Sequence, residues 1–319
     1  MTISRLLVVG ASGLVGSEVM RAASSVELKL PTGPRVPFSS SPSSVAESAM
    51  LIGAPARVTL GVARNVSGFA TKAMDLLDPR AINAVVTEFK PDGVIIASAW
   101  PHVDGCEQDP ARSSRENVQT VKNLIAALAD SVRVGFFSTE HVFDGKQAEY
   151  DERSKTHPLS VYAKHKRDVE ELLLTRGNAM VARTSYVFGA EAKRKNFMYR
   201  VIDASEKKTA LKVPTAQAGM PTWAVWLAKS ALQLLDSDFE GIAHLTGPQV
   251  LTKGEWARVL AKGLALPDVE ITEVPWQESG QIAPRPERVR LISTKHDLHH
   301  PPLLELLSQE REALLTKVV

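Results

Sequence analysis

Apolar and polar positions alternate along this chain in two ways. Short unbroken apolar runs, closed by glycine or small hydroxyl residues, recur at Ile3–Val9, Val58–Ala63, Gly93–Ser98, Val134–Phe137 and Ala179–Thr184. Runs of this length without polar alternation read as strands buried on both faces, the mark of a parallel sheet. Between them the apolar spacing becomes helical. Helices are predicted from the glycines at 10–16 to about Ala23, over Val161–Arg176, from Asn196-Phe197, and from Pro221–Trp223 to about Leu235. Asp78 before Pro79 is an N-cap with proline in the first turn. The C-terminal third adds two strand-and-helix pieces, around Ile242–Leu245 and Lys253–Leu264, and ends in a single amphipathic helix, LLELLSQEREALL. Strands alternating with helices predict an α/β fold built on a doubly wound parallel sheet. Residues 24–55 break the pattern. They are rich in serine and proline and read as a surface insertion, about 25–56, in which Ser44–Ile52 has the pattern of a short helix.

Composition narrows the class. The chain has 319 residues, 44% hydrophobic and 23% charged, enough for one large or two fused domains with a buried core. A net charge of +2 without a basic stripe argues against a nucleic-acid partner. The single cysteine, Cys106, precludes an internal disulfide and fits a reducing compartment. No apolar run approaches the ~18 residues of a membrane span. The sequence enters a strand at once, without a secretory pattern. A cytoplasmic location, with no membrane partner and no metal, is expected.

Two motifs carry chemistry. GASGLVG follows the first strand and opens a helix. Of Gly10, Gly13 and Gly16, the first permits the tight turn, the second lets backbone approach a pyrophosphate, and the third packs helix on strand. Ser12, Leu14 and Val15 complete a dinucleotide loop at a helix N-terminus. The second strand ends at Arg64 and Asn65, with no acidic residue for a ribose 2′-hydroxyl, which favours NADP(H) over NAD(H). Small residues Ala97, Ser98 and Ala99 close the GVIIAS run, as needed where backbone lies against a cofactor. Tyr162 and Lys166 are four apart, on one face of the predicted helix. An ammonium beside a phenol lowers the phenol's pKa and suits it to exchange a proton with a carbonyl oxygen. Thr139, at the carboxyl end of a buried strand, faces the ligand crevice and supplies a second hydrogen bond to that oxygen.

The GxxGxxG spacing, with Thr139, Tyr162 and Lys166, resembles the extended short-chain dehydrogenase/reductases. STEHVFDG, PLSVYAKHK, VARTSYVFG, KNF, GMPTWAVWLA and APRPERVRL resemble, in the same order, segments of the dTDP-4-dehydrorhamnose reductase family, which includes the methionine adenosyltransferase regulatory β subunit. The resemblance implies a Rossmann-type NADP-binding domain over 1–190 and a smaller C-terminal α/β substrate-binding cap over 191–319, with about 219–250 returning to the core. It implies that Asp75 and Leu76 contact the adenine end, and that Asn117 supports the active-site backbone. It places Trp100, His102, Val103 and Asp104 beside the substrate, with Glu140, His141, Asn196 and Trp223. Arg285 and Arg288 would hold a nucleotide-sugar's phosphates. The expected activity is NADPH-dependent reduction of a nucleotide-linked 4-keto-6-deoxysugar. Glu140-His141 stands where sugar-nucleotide dehydratases carry two acidic residues, so a dehydratase or epimerase with retained cofactor is an alternative. A regulatory subunit is another. The resemblance is compatible with a homodimer.

Overall fold

The computed structural model describes residues 3–24, 57–267 and 269–316. The expected insertion at about 25–56, including Ser44–Ile52, lies outside the described residues. The chain runs β1 (Arg5–Val9), α1 (Leu14–Ser24), β2 (Val58–Ala63), β3 (Lys72–Ala73), α2 (Pro79–Phe89), β4 (Gly93–Ile96), α3 (Val103–Gln108), α4 (Pro110–Ser114) and, after a π-helical turn at Arg115–Gln119, α5 (Thr120–Ala127). Then come β5 (Arg133–Thr139), α6 (Val161–Arg176), β6 (Ala179–Thr184), β7 (Val187–Phe188), α7 (Phe197–Lys207), β8 (Leu211–Pro214), β9 (Ala218–Gly219) and β10 (Thr222–Trp223). The chain ends with α8 (Ala224–Asp236), β11 (Gly241–His244), β12 (Leu251–Thr252), α9 (Lys253–Gly263), β13 (Ile271–Val274), α10 (Leu303–Gln309) and α11 (Arg311–Leu315).

The main sheet has seven strands in the order β3-β2-β1-β4-β5-β6-β11, all paired in parallel. This is the Rossmann order, and the switch point lies between β1 and β4. Strands such as β5 and β6 are buried along their whole length because helices cover both faces. On one face α1 and α8 pack through Val19, Leu227 and Leu235 against Leu6 and Val8. On the other, Ile82 of α2, Leu124 of α5 and Leu173 of α6 pack against Leu7, Val9 and Phe136. A second core joins α7, α9 and α10 beyond the end of the sheet. It is centred on Trp256, whose ring lies 4.9 Å from that of Phe188.

Local chemistry sets the boundaries that matter for the site. Ser160 caps α6 by accepting from Ala163 N at 3.3 Å, and Gly177, at φ +75°, lets the chain leave it. Asp78 caps α2 through Arg80 N at 2.9 Å. Asn196 caps α7 through Met198 N at 3.2 Å.

Gly241–His244, within the stretch expected to return to the core, pairs with β6 as the edge strand of the main sheet, where Ala243 and His244 are buried. Three sequence expectations are corrected. The Gly93–Ser98 run leaves the sheet after Ile96. The helix expected to open at Pro221–Trp223 starts at Ala224, because Thr222–Trp223 is paired with β7. The tail is two short helices, interrupted at Glu310. No helix among the described residues is long and apolar enough to cross a membrane.

Candidate active site

The loops after β1 and β4 meet at the switch point. Gly10 has φ +88°, and a Cβ there would lie 2.6 Å from Ser98 N. A Cβ on Gly16 would overlap the Gly10 carbonyl, so α1 can approach β1 this closely only with glycine. Gly13 differs from both: apart from Gly10 O at 3.4 Å, a Cβ there meets nothing within 4 Å. It faces a groove of about 330 Å³ lined by Val9, Gly10, Ser12, Gly13, Ala63, Arg64, Met74, Leu76, Ala97, Ser98, Ala99, Glu116, Thr120 and Lys193. Bare backbone at a helix N-terminus, small residues opposite and a guanidinium at the second strand's end fit a nicotinamide dinucleotide.

Eight residues expected from sequence thus line the groove: Gly10, Ser12, Gly13, Arg64, Leu76, Ala97, Ser98 and Ala99. Leu14, Val15 and Gly16 form the first turn of α1 beside it. Asn65 is exposed at the end of β2. Asp75 uses its carboxylate locally, accepting from Leu77 N at 3.0 Å, and lies 4.0 Å from Arg64 Nε. Arg64 donates to Glu116 at 2.6 Å. Glu116 was not anticipated because it reaches the groove from the π-helical turn, an irregularity that sequence period does not report.

At the carboxyl end of the neighbouring strand, Thr139, Glu140, His141 and Tyr162 line a second cavity of about 400 Å³, together with Pro101, Val103, Tyr186, Gln217, Lys253 and Arg285. Thr139 is the last residue of β5. Its hydroxyl donates to Glu140 Oε2 at 3.0 Å and accepts from His141 N at 3.2 Å. Its one proton is therefore committed to Glu140, and donation to a substrate oxygen requires the hydroxyl to turn. Ser185 holds the other carboxylate oxygen of Glu140 at 2.9 Å. The His141 ring meets that of Tyr162 edge-on at 6.3 Å, so His141 fills an aromatic position. Burial pushes its pKa down.

The tuning of Tyr162 differs from the sequence expectation. Burial raises the phenol's pKa, and Glu140 raises it further. Lys166 is buried and donates its Nζ to Phe137 O at 2.6 Å, 4.1 Å from the Phe136 ring. Burial pushes Lys166 down to about 7, with Glu170 opposing. An amine so directed and so weakly basic does not pull the phenol down in the free protein. Tyr162 is therefore a protonated acid at neutral pH.

The loop after β4 is braced rather than open. Asn117 accepts from Trp100 N at 2.7 Å and donates to Trp100 O at 3.2 Å. Glu107 accepts from Val161 N at 2.9 Å, tying α3 to the start of α6. The expected substrate residue His102 caps α3 instead, accepting from Gly105 N at 2.7 Å. His165 faces Ser113 Oγ at 2.8 Å. Asp104 gathers the cap loop. It accepts from Ile282 N and Ala283 N at 2.9 Å each, and from Arg285 at 3.0 and 2.9 Å. Asn196 caps α7 and Trp223 N donates to His300 at 2.9 Å. Arg288 is exposed. Trp100, His102, Asp104, Asn196, Trp223 and Arg288 are absent from the cavity lining, whereas Val103, Glu140, His141 and Arg285 belong to it. Tyr186, Gln217 and Lys253 join it unanticipated, because each sits at the end of an irregular or two-residue element.

Burial would raise the Asp104 carboxyl, but Arg285 and the two N–H groups outweigh it and hold it down to about 2. A carboxyl lowered on folding from 3.8 stabilises the fold above that pH and ceases to do so as pH falls toward 2. Asp104→Asn is expected to lower stability by about 1–2 kcal/mol at pH 7, allowing for solvent screening. Urea titrations should show the gap to wild type closing between pH 4 and 2. A pH-independent gap contradicts this role.

Residues 4–305 match the family model described as the RmlD substrate binding domain. The chain belongs to this family. It is thereby an extended short-chain dehydrogenase/reductase. Among curated proteins, the spore coat polysaccharide biosynthesis protein SpsK of Bacillus subtilis is 30% identical over 227 residues, covering 69% of this chain and 78% of that one. A dTDP-4-dehydrorhamnose reductase of Burkholderia thailandensis is 33% identical over 184 residues, 56% of this chain and 60% of that one. The crystal structure of dTDP-4-dehydrorhamnose reductase from Bacillus anthracis in complex with NADP shares the fold. Its TM-score is 0.76 at 20% identity, covering 97% of this chain and 98% of that one.

Proposed function

We propose that this protein is an NADPH-dependent reductase of a nucleotide-linked 4-keto-6-deoxysugar. The observation that carries the reading is the protonated Tyr162 phenol in a polar cavity at the end of β5, one strand over from a groove that fits a dinucleotide. The bound nicotinamide would supply hydride to the sugar's carbonyl carbon. Tyr162 gives its proton to the carbonyl oxygen. Thr139, turned from Glu140, steadies that oxygen. Lys166, which donates to Phe137 O one turn along α6 from Tyr162, would turn to hold the nicotinamide ribose hydroxyls once the cofactor is bound. Gly10–Gly16 and Ala97–Ala99 would hold the dinucleotide's diphosphate and ribose. Arg64 supports NADP(H) over NAD(H), since a guanidinium held through one Nη keeps further donors for a 2′-phosphate.

The test follows absorbance of the reduced nicotinamide while the protein is offered a panel of nucleotide-linked 4-keto-6-deoxysugars. Stoichiometric oxidation of NADPH, faster than of NADH, supports the reading. No oxidation across the panel overturns it. The buried Glu140, bonded to Thr139 and Ser185, favours a second reading in which the carboxylate moves protons on the sugar and the cofactor is retained. Product would then form without net loss of absorbance.

A further inference from the structure

Lys253, the first residue of α9, lines the catalytic cavity. Its Nζ lies 3.3 Å from the centre of the Tyr186 ring and 4.7 Å from that of Phe197. Among the described residues its Nζ makes no hydrogen bond and no ion pair within 4 Å, and Glu140 acts on it only at longer range. The platform under it is built at a cost. Tyr186 sits at φ +42°, strained for a residue with a side chain. Gly219 must be glycine for the ring to fit, since a Cβ there would lie 2.8 Å from Tyr186 Cε1. The surrounding charge is cationic. Arg200 stacks 5.6 Å from the same Phe197 ring, and Arg285 lies on the cavity wall. Arg285 has both terminal nitrogens engaged by Asp104, so it is poorly placed to act as a free fork. Glu140 is the carboxylate on the cavity wall, and it is already bonded to Thr139 and Ser185.

The amine faces the cavity with its donors unclaimed by protein, so an anionic oxygen that enters meets a cation ready to bind it. We propose that Lys253 is the anion-binding residue of the substrate cavity, holding a phosphate or carboxylate oxygen of the substrate in the role that sequence alone gives to Arg285 and Arg288. The inference rests on the nucleotide-sugar reading above. The oxygen has two sources, the diphosphate of the nucleotide or an acidic group on the sugar. Burial pushes Lys253 down to about 7, opposed by Glu140 and reinforced by Arg200 and Arg285. Uncharged Tyr162 and Tyr186 and neutral His141 complete its surroundings, so binding should weaken as pH rises above about 7.

The test is calorimetric titration of protein saturated with NADP, so that the dinucleotide groove is filled. The probes are dTDP, UDP, thymidine and UDP-glucuronate, against wild type, Lys253→Met, Lys253→Arg and Lys212→Met, the last removing an exposed charge outside the cavity. We expect Lys253→Met to weaken the nucleoside diphosphates by about tenfold or more and thymidine not at all. Lys253→Arg should restore binding and abolish its loss above pH 7, and Lys212→Met should match wild type. Weakening confined to UDP-glucuronate assigns the lysine to a sugar carboxylate instead of the diphosphate, and also supports an anion role. Equal affinity of wild type and Lys253→Met for every probe overturns the inference and leaves the nucleotide-sugar reading standing. Failure of wild type to bind any of them overturns both.

Discussion

Tyr162→Phe should cut turnover of the keto-sugar by about a hundred- to ten-thousandfold, the range for loss of a positioned general acid, with little change in substrate or cofactor binding. The phenyl ring keeps the edge-on contact with His141 at 6.3 Å, so the fold has no reason to move. What disappears is the proton. The neighbouring candidates do not replace it. His141 is held neutral by burial. Lys166 is directed at Phe137 O. The Thr139 hydroxyl already donates to Glu140. Because burial and Glu140 raise the phenol's pKa, wild-type reduction should not fall through ionisation of Tyr162 between pH 6 and 9. Single-turnover oxidation of NADPH by stopped flow, with melting temperature as control, makes the comparison. A phenylalanine variant that keeps more than about a tenth of wild-type turnover removes Tyr162 from the chemistry.

The elements that hold this acid were readable because their signals are local. Helix Val161–Arg176 runs between a serine cap and a glycine exit, and strand Ala179–Thr184 is an uninterrupted buried run. Both match the sequence reading residue for residue. The glycine loop was equally plain, since Gly10 and Gly16 answer steric demands made by backbone one strand away or close in sequence, and Gly13 leaves backbone open to the groove. The substrate side was not legible in this way. Asp104 finds its partner Arg285 across 181 positions, and nothing near Asp104 in sequence distinguishes a substrate contact from a brace. Lys253 reads as the first residue of an ordinary helix. Only the two-residue strands β9 and β12, too short to show any period, bring it over Tyr186. Thr139 shows the same limit at atomic scale: its position was legible, but the direction of its hydroxyl depends on Glu140.

The largest expected loss of stability follows from one buried ion pair behind the catalytic helix. Glu170 of α6 and Arg183 of β6 are 2% and 3% exposed and meet at 2.7 Å, with further bonds from Arg183 Nε at 3.0 and 3.2 Å. Arg183 also lies 5.0 Å from the Phe143 ring and 3.5 Å from His244 Nε2. Glu170 is one turn beyond Lys166, and Arg183 is two residues before Ser185, so the pair clamps the helix carrying Tyr162 to the strand end supporting Glu140. Glu170→Ala strands a guanidinium in the core and should cost about 3–5 kcal/mol. For a chain of this length that lowers the melting temperature by roughly 4–8 °C. If the penalty comes from the stranded charge, the double variant Glu170→Met with Arg183→Met should recover most of it, because apolar side chains of similar volume replace a buried pair at little cost. Urea denaturation of the two single variants and the double variant gives the coupling directly. Additive losses in the double variant would mean that the pair acts as two independent packing residues, and the clamp between helix and strand would have to lie elsewhere.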